Sequence, residues 1–441
     1  MAFAIAVPLT LAACSGAGGG GGGDGGKTVT VATVANPQMQ DMEKLLPEFE
    51  KAHPDIDVKF VILPENELRD RVTQDIATQA GQYDVTTIGT YEAPIWAKNG
   101  WLTRLDEKAS GDYDLADLIP PVKDALSFEG GLYAVPFYGE SSFLYYRKDL
   151  FQQAGLTMPE KPTWQQVADF ATKLHDPSKK ISGICLRGLP GWGEVIAPLT
   201  TVILTFGGRW YDMEWNAHLT DPEAKQAVQF YTDLVRKAGE PGAPNAGFSE
   251  CLTAMGQGNA AMWYDATVGA GSLEDPATSK VAGKVGYVAA PVSKTETSGW
   301  LWAWSLAIPK TSKNADAAWT FASWATSKAY IKLVGEKVGW ARVPPGSRIS
   351  TYQLPEYQKA AAAFAKPTLD QIQAVNVKQP GLHPQPWVGV QYVAIPEFQD
   401  LGTKVSQEIS AVIAGRQSVD QALAKAQKYA EDTAVEGKYK K

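Results

Sequence analysis

Lys27-Thr28-Val29-Thr30-Val31-Ala32-Thr33-Val34 opens the stretch that decides the fold. Its alternating β-branched residues read as a strand. Met42, Leu45, Leu46 and Phe49 follow at helical spacing on one face, and His53-Pro54 stops that helix. Residues 56–61 read as a second strand. Residues 67–80 are helical in composition, with Leu68, Val72, Ile76 and Ala80 spaced by four. Gly81 ends them, and residues 83–88 form a third strand. Strand, helix, strand, helix, strand within about 60 residues predicts a parallel, doubly wound α/β sheet.

Further along, residues 131–137 form a short strand that ends in Tyr138-Gly139-Glu140, and residues 144–147 form another before a helical turn at 148–151. Thr163, with Gln166 three residues on, marks a capped helix start. Val167, Phe170, Ala171 and Leu174 continue its buried face. A helix is predicted over 222–237, strands over 286–291 and 302–308, and a helix through Ala317, Trp319, Phe321, Ala322 and Trp324.

Composition excludes several classes. The chain has 441 residues, with 48 acidic against 41 basic, a formal net charge of −7. No dense Lys/Arg run precedes the Lys438-Tyr439-Lys440-Lys441 tail, so a nucleic-acid partner is not expected. No run of 18 apolar residues occurs, so no membrane-spanning helix is expected. His53, His175, His218 and His383 stand far apart, and neither H-x-x-x-H nor C-x-x-C is present. A local zinc motif is therefore absent, as is a phosphate-binding G-x-x-x-x-G-K-[ST] loop. No metal and no cofactor is expected.

Residues 2–13 are apolar or small, as in the h-region of a signal peptide. Leu11-Ala12-Ala13-Cys14 resembles the bacterial lipobox. All but Ala17 and Asp24 of residues 16–26 are glycine, the composition of a flexible tether. The expectation is a signal peptide over 1–13, and a lipidated Cys14 with its tether over 14–26. Cys185 and Cys251 then remain, an even pair in an oxidising compartment, and are expected to form a disulfide.

The layout resembles the extracellular solute-binding proteins of ABC importers, in the branch typified by maltose-binding protein. The lipobox carries the resemblance, with Leu46-Pro47-Glu48-Phe49-Glu50-Lys51-Ala52-His53-Pro54-Asp55-Ile56, Tyr83-Asp84-Val85, Gly131-Leu132-Tyr133-Ala134-Val135-Pro136 and Ala307-Ile308-Pro309-Lys310. Within that branch, three stretches look like the sorbitol/mannitol-binding subgroup. They are Thr90-Tyr91-Glu92-Ala93-Pro94-Ile95-Trp96, Phe206-Gly207-Gly208-Arg209-Trp210 and Met262-Trp263-Tyr264-Asp265-Ala266-Thr267. The resemblance implies an α/β, two-lobed periplasmic-binding-protein-like fold. Each lobe would be a mostly parallel sheet flanked by helices, with the ligand cleft between. Lobe one would hold 27–137 and 306–345, and lobe two 138–305 and 346–441. The implied partners are a small polyol or sugar and the membrane subunits of an ABC permease. The protein itself would be a monomer, held at the cell surface or periplasmic face by lipid on Cys14.

A polyol site needs charged and amide groups for the hydroxyls and flat aromatics for the C–H faces. Glu92 follows the third strand, at the carboxyl end where open α/β sheets place ligands, or is a solvated loop residue. Tyr138 and Glu140 flank Gly139 at the expected hinge. Arg187 and Trp192 lie in a glycine-rich segment that serves either as a cleft wall or as a turn held by the disulfide. Arg209 is a candidate beside an ordinary turn. Trp263 and Asp265 follow a helical run, and Asp265 is a ligand contact or a cap for the next turn. Trp300, Trp302 and Trp304 alternate and share one side, a stripe that is either core or cleft; Trp300 is the candidate at the lobe crossing. Trp340 and Arg342 stand where the chain is expected to recross. A secreted glycoside hydrolase is the enzymatic alternative, because paired carboxylates and many tryptophans also suit that chemistry. A surface lipoprotein without ligand is the third reading.

Overall fold

The computed structural model of the protein describes residues 27–109 and 111–440. Cys14, the signal-peptide segment and the glycine tether lie outside the described residues. The opening stretch folds as its pattern predicts. β1 (Lys27–Val34) pairs in parallel with β2 (Ile56–Leu63), Lys27 opposite Ile56 and Val34 opposite Leu63. β1 also pairs in parallel with β3 (Val85–Ile88). The helix Glu65–Thr78 links β2 to β3 and buries Leu68, Val72 and Ile76 at helical spacing. One helix was expected through Met42 and Phe49, and the chain makes two, Pro37–Lys44 and Leu46–Ala52. Pro47 has no N–H to give to a helix interior and is tolerated only in a first turn, so a new helix starts there.

The chain continues through a small hairpin, β4 (Ser127–Phe128) and β5 (Gly131–Leu132), into β6 (Ala134–Glu140). Ser141 is the only residue between β6 and β7 (Ser142–Arg147). β8 (Met262–Ala266) and β9 (Val285–Ala289) flank β7, and β10 (Trp302–Ala307) returns to the first sheet. The first sheet has the order β2-β1-β3-β10-β6, with β10 antiparallel to both neighbours. The second has the order β8-β7-β9 and is antiparallel throughout.

A mostly parallel sheet was expected in each lobe, and the second sheet corrects that detail. Its cause is the crossing itself. β7 leaves the junction at Ser142, and β8 arrives back at Ala266, directly opposite it. A strand that departs and one that returns to the same point must run in opposite directions. Parallel contacts in this lobe are single bridges, Thr163 with Val292, Ser182 with Ala260 and Cys185 with Trp263.

Helix Ala315–Ala325 packs on β1 and β6 of the first sheet. Helices Phe398–Ile413 and Val419–Glu436 pack on the turn Trp192–Ile196 and on helix Pro222–Ala238 of the second lobe. Thr163 caps Trp164–Leu174 in the expected capping box with Gln166. Cys185 and Cys251 are bonded, with their Cα atoms 5.6 Å apart. No helix among the described residues is long and apolar enough to cross a membrane.

Candidate ligand-binding site

A cavity opens where the two sheets meet. Asn36, Glu65 and Arg69 line it from behind β1 and β2; Tyr138, Glu140, Trp300, Trp302 and Trp304 from the crossing strands; Arg187, Trp192 and Phe248 from the second lobe. The free space is narrow: the centres of water-sized groups have about 30 Å3 in which to sit. Two glycines make the close approach possible. A Cβ on Gly89 would fall 1.9 Å from the Trp302 ring, and one on Gly139 would fall 2.4 Å from the Gly346 carbonyl oxygen.

Each lobe contributes one buried guanidinium held by carboxylates. Arg187 grips Asp265 with two hydrogen bonds, Nε to Oδ2 at 2.8 Å and Nη2 to Oδ1 at 2.5 Å, and donates to the Gly193 carbonyl at 2.8 Å and to Glu194 at 3.3 Å. Asp265 is fully buried and also accepts the Trp263 indole N–H at 3.0 Å and the Ala266 N–H at 2.7 Å. Its oxygens are thus spent on fixing Arg187. Burial alone would lower the Arg187 pKa; Asp265 and Glu194 outweigh it and keep the guanidinium charged.

In the other lobe Arg69 donates to Glu65 at 2.9 and 3.1 Å and pairs with Glu92, which also accepts the Gly89 N–H at 2.9 Å. The Arg69 guanidinium lies 4.0 Å over the Trp192 ring and 4.8 Å from Trp304. This cation–π contact joins the lobes.

Other polar groups are left open toward the cavity. Glu140 is 5% exposed and lines the cavity beside the Trp300 indole. Burial raises its pKa well above the carboxylate range, and the Asp265 and Glu65 charges add to burial while Arg187 opposes it. Tyr138 accepts a hydrogen bond from the Asn36 amide at 2.7 Å, which frees its own O–H to donate. Burial, with the Glu140 charge second, holds that phenol in its neutral form. The indole N–H groups of Trp192 and Trp300 and the amide oxygen of Gln391 are buried at this cavity without partners among the described residues. A bound molecule that both donates and accepts would complete them.

Of the eleven candidates, Tyr138, Glu140, Arg187, Trp192 and Trp300 line the cavity. Glu92 and Asp265 stand one layer behind, each holding an arginine. Asp265 is a strand residue opposite Phe143, not the cap of a following helix, whose N-cap is Val268. Trp263 backs the site, stacked at 4.6 Å on Tyr145. Arg209 lies outside the lining, and Trp340 packs over Gly335 of helix Lys328–Lys337. Arg342 is also outside, paired with Asp41 at 2.5 Å and Asp275 at 3.5 Å.

The reading of the sequence did not select Asn36, Glu65, Arg69, Trp302, Trp304, Phe248 or Gln391. A signal existed for the first three. Asn36 follows the carboxyl end of β1, and Glu65 and Arg69 follow that of β2 as an i, i+4 pair on one helix face. Nothing local marks Gln391, which sits in an irregular segment.

A two-lobed α/β fold with a polar, tryptophan-lined cavity between lobes is the architecture of a solute-binding protein. Residues 36–332 match the bacterial extracellular solute-binding protein family, and the chain belongs to that family. It is 50% identical over 405 residues to the mannitol-binding protein of Pseudomonas aeruginosa, covering 91% of this chain and 92% of that one. An ABC transporter solute-binding protein of Agrobacterium vitis, solved with bound D-mannitol, superposes with a TM-score of 0.92 at 53% identity, over 94% of this chain and 100% of that one. One from Agrobacterium radiobacter in complex with ribitol gives a TM-score of 0.81 at 28% identity, over 92% and 98%. These relatives are binding proteins, and the glycoside hydrolase alternative finds no counterpart among them.

Proposed function

We propose that the protein is the solute-capturing component of an ABC importer and that it holds an acyclic hexitol, D-mannitol foremost, in the inter-lobe cavity. One observation carries the reading. The cavity brings donors (Trp192, Trp300, Tyr138) and acceptors (Glu140, Gln391) together along indole faces. A hydroxyl both donates and accepts, so a chain of hydroxyls satisfies the two kinds together. Likeness to the mannitol-bound relative supports the same choice.

In this reading the first lobe takes 27–140 with 302–345 and the second takes 142–301 with 346–441, because cuts at 137 and 305 would split β6 and β10 of one sheet, and the lobes close on the ligand by a hinge motion. Lipid on Cys14 would hold the protein at the cell surface or periplasmic face, and the glycine tether would let it reach the permease. Calorimetry with D-mannitol, sorbitol, ribitol and maltose tests the ligand. Mannitol is expected to bind most tightly, and at a hundred times Kd it should add about 2.7 kcal/mol to the unfolding free energy. Tight binding of maltose with none of mannitol would overturn the assignment.

A further inference from the structure

We propose that the irregular segment between Trp387 and Pro396 is a ligand-reading strap and that Gln391 determines which polyol is held. The proposal rests on the polyol reading above and extends it to an element without helix or strand. The strap is anchored on the second lobe. Trp387 packs against Trp215 and Tyr211 there, with ring centroids 5.9 and 6.3 Å away, and the Gln385 amide ties the turn by donating to the Gly389 carbonyl at 2.7 Å. It then crosses to the first lobe. The Tyr392 hydroxyl donates to Thr90 Oγ1 at 3.2 Å, and the Tyr91 hydroxyl donates to the carbonyls of Ile395 at 2.8 Å and Pro396 at 3.1 Å. The Tyr392 ring meets Tyr91, Trp192 and Trp302 edge-on.

Between these two attachments Gln391 turns inward. It is 3% exposed, lines the cavity, and its amide oxygen has no donor among the described residues. A buried acceptor without a donor is unfavourable, so the ligand hydroxyl that reaches it is favoured over any analogue with a bare carbon there. Arg69 and Arg187 are already engaged by carboxylates of the protein. The Gln391 amide oxygen is a cavity acceptor that neither arginine reaches. The strap bonds to both lobes, so a ligand that satisfies Gln391 also steadies the contacts at Thr90 and Tyr91.

The test is calorimetry of the wild-type protein, Gln391→Met and Gln391→Ala with D-mannitol and each monodeoxy mannitol. The Met variant keeps the size of the side chain and removes the acceptor; Ala serves where Met misfolds. Mannitol should bind either variant roughly tenfold more weakly or worse. One deoxy analogue should bind variant and wild type alike, because the hydroxyl that Gln391 reads is already missing from it. Tyr91→Phe, which removes a strap contact and no cavity group, should weaken all ligands by one common factor. A variant that binds mannitol as the wild type does overturns the strap alone. So does a Gln391 variant that weakens every analogue equally. A wild-type protein that binds no polyol overturns the polyol reading and this inference with it.

Discussion

Arg187 shows what a single residue contributes here. Its guanidinium is useful to a ligand only if it is held rigid and charged in a dry site, and Asp265 does both with two parallel hydrogen bonds. Breaking a buried pair by removing one partner costs about 3–5 kcal/mol, because the other charge stays buried. Asp265→Asn should therefore lower the melting temperature sharply and weaken mannitol at least tenfold, although Asp265 lies behind the cavity. Thermal melting and calorimetry check the two effects together. Glu194, on the far side of Arg187, gives a pH signature. Burial raises its pKa from the usual 4.5 to about 7, against the pull of Arg187, with the Glu65 and Asp265 charges adding to burial. The folded protein then keeps a proton that the unfolded chain releases. The resulting stability is present below about pH 4.5 and lost as pH rises toward 7. Relative to Glu194→Gln, the wild type should lose on the order of 3 kcal/mol across that window. Urea unfolding of both proteins at several pH values measures it, and a pH-independent difference would count against the buried, proton-holding carboxyl.

At the scale of elements, β10 and the disulfide are the instructive parts. Trp302 stands opposite Glu140 and Trp304 opposite Tyr138, so strand register alone brings ring faces and polar groups to one cavity. The alternation of these tryptophans was legible in the sequence. Whether the stripe faced core or cleft was not, because that depends on β6 lying alongside. The first sheet was legible for a related reason: its strands and helices alternate within a short span, and each pattern is local. Of the second sheet, β7 and β9 were read as strands, but β8 and the pairing were not. Its partners β7 and β8 are more than a hundred residues apart, and Trp263-Tyr264-Asp265 alone does not distinguish a strand from a turn. Gln391 is the extreme case, placed entirely by tertiary contacts of an irregular segment. The Cys185–Cys251 bond was legible from counting, and it closes a separation of 66 residues around the segment that carries Arg187 and Trp192. In the chain-entropy model such a loop stabilises by about 4 kcal/mol. Cys185→Ala with Cys251→Ala should lower the unfolding free energy by that order, read by denaturant titration. A change below about 1 kcal/mol would mean that residual structure already restrains the unfolded chain.

In the proposed reading the whole molecule binds by closing, and contacts outside the cavity lining join its rims. On one rim the Asn66 amide donates to the Pro190 carbonyl at 2.9 Å, and Thr73 donates to Gln399 at 3.0 Å. On the other, Arg342 joins Asp41 of helix Pro37–Lys44 to Asp275 beyond helix Gly269–Glu274, while Gln38 reaches the Val268 carbonyl at 3.4 Å. Arg342, Asp41 and Asp275 lie outside the cavity lining, so in that reading their effect on affinity is expected through the balance between open and closed forms. The apparent dissociation constant is the intrinsic one divided by the closed fraction. Arg342→Gln removes the charge that ties Asp41 to Asp275 and should shift that balance toward the open form. Mannitol, sorbitol and the deoxy analogues should then all weaken by one factor, with their ratios unchanged. A residue that touches the ligand behaves differently, because its loss changes the ratios. The same calorimetric panel thus separates the two roles. If Arg342→Gln altered the mannitol-to-deoxymannitol ratio, Arg342 would belong to the binding surface itself.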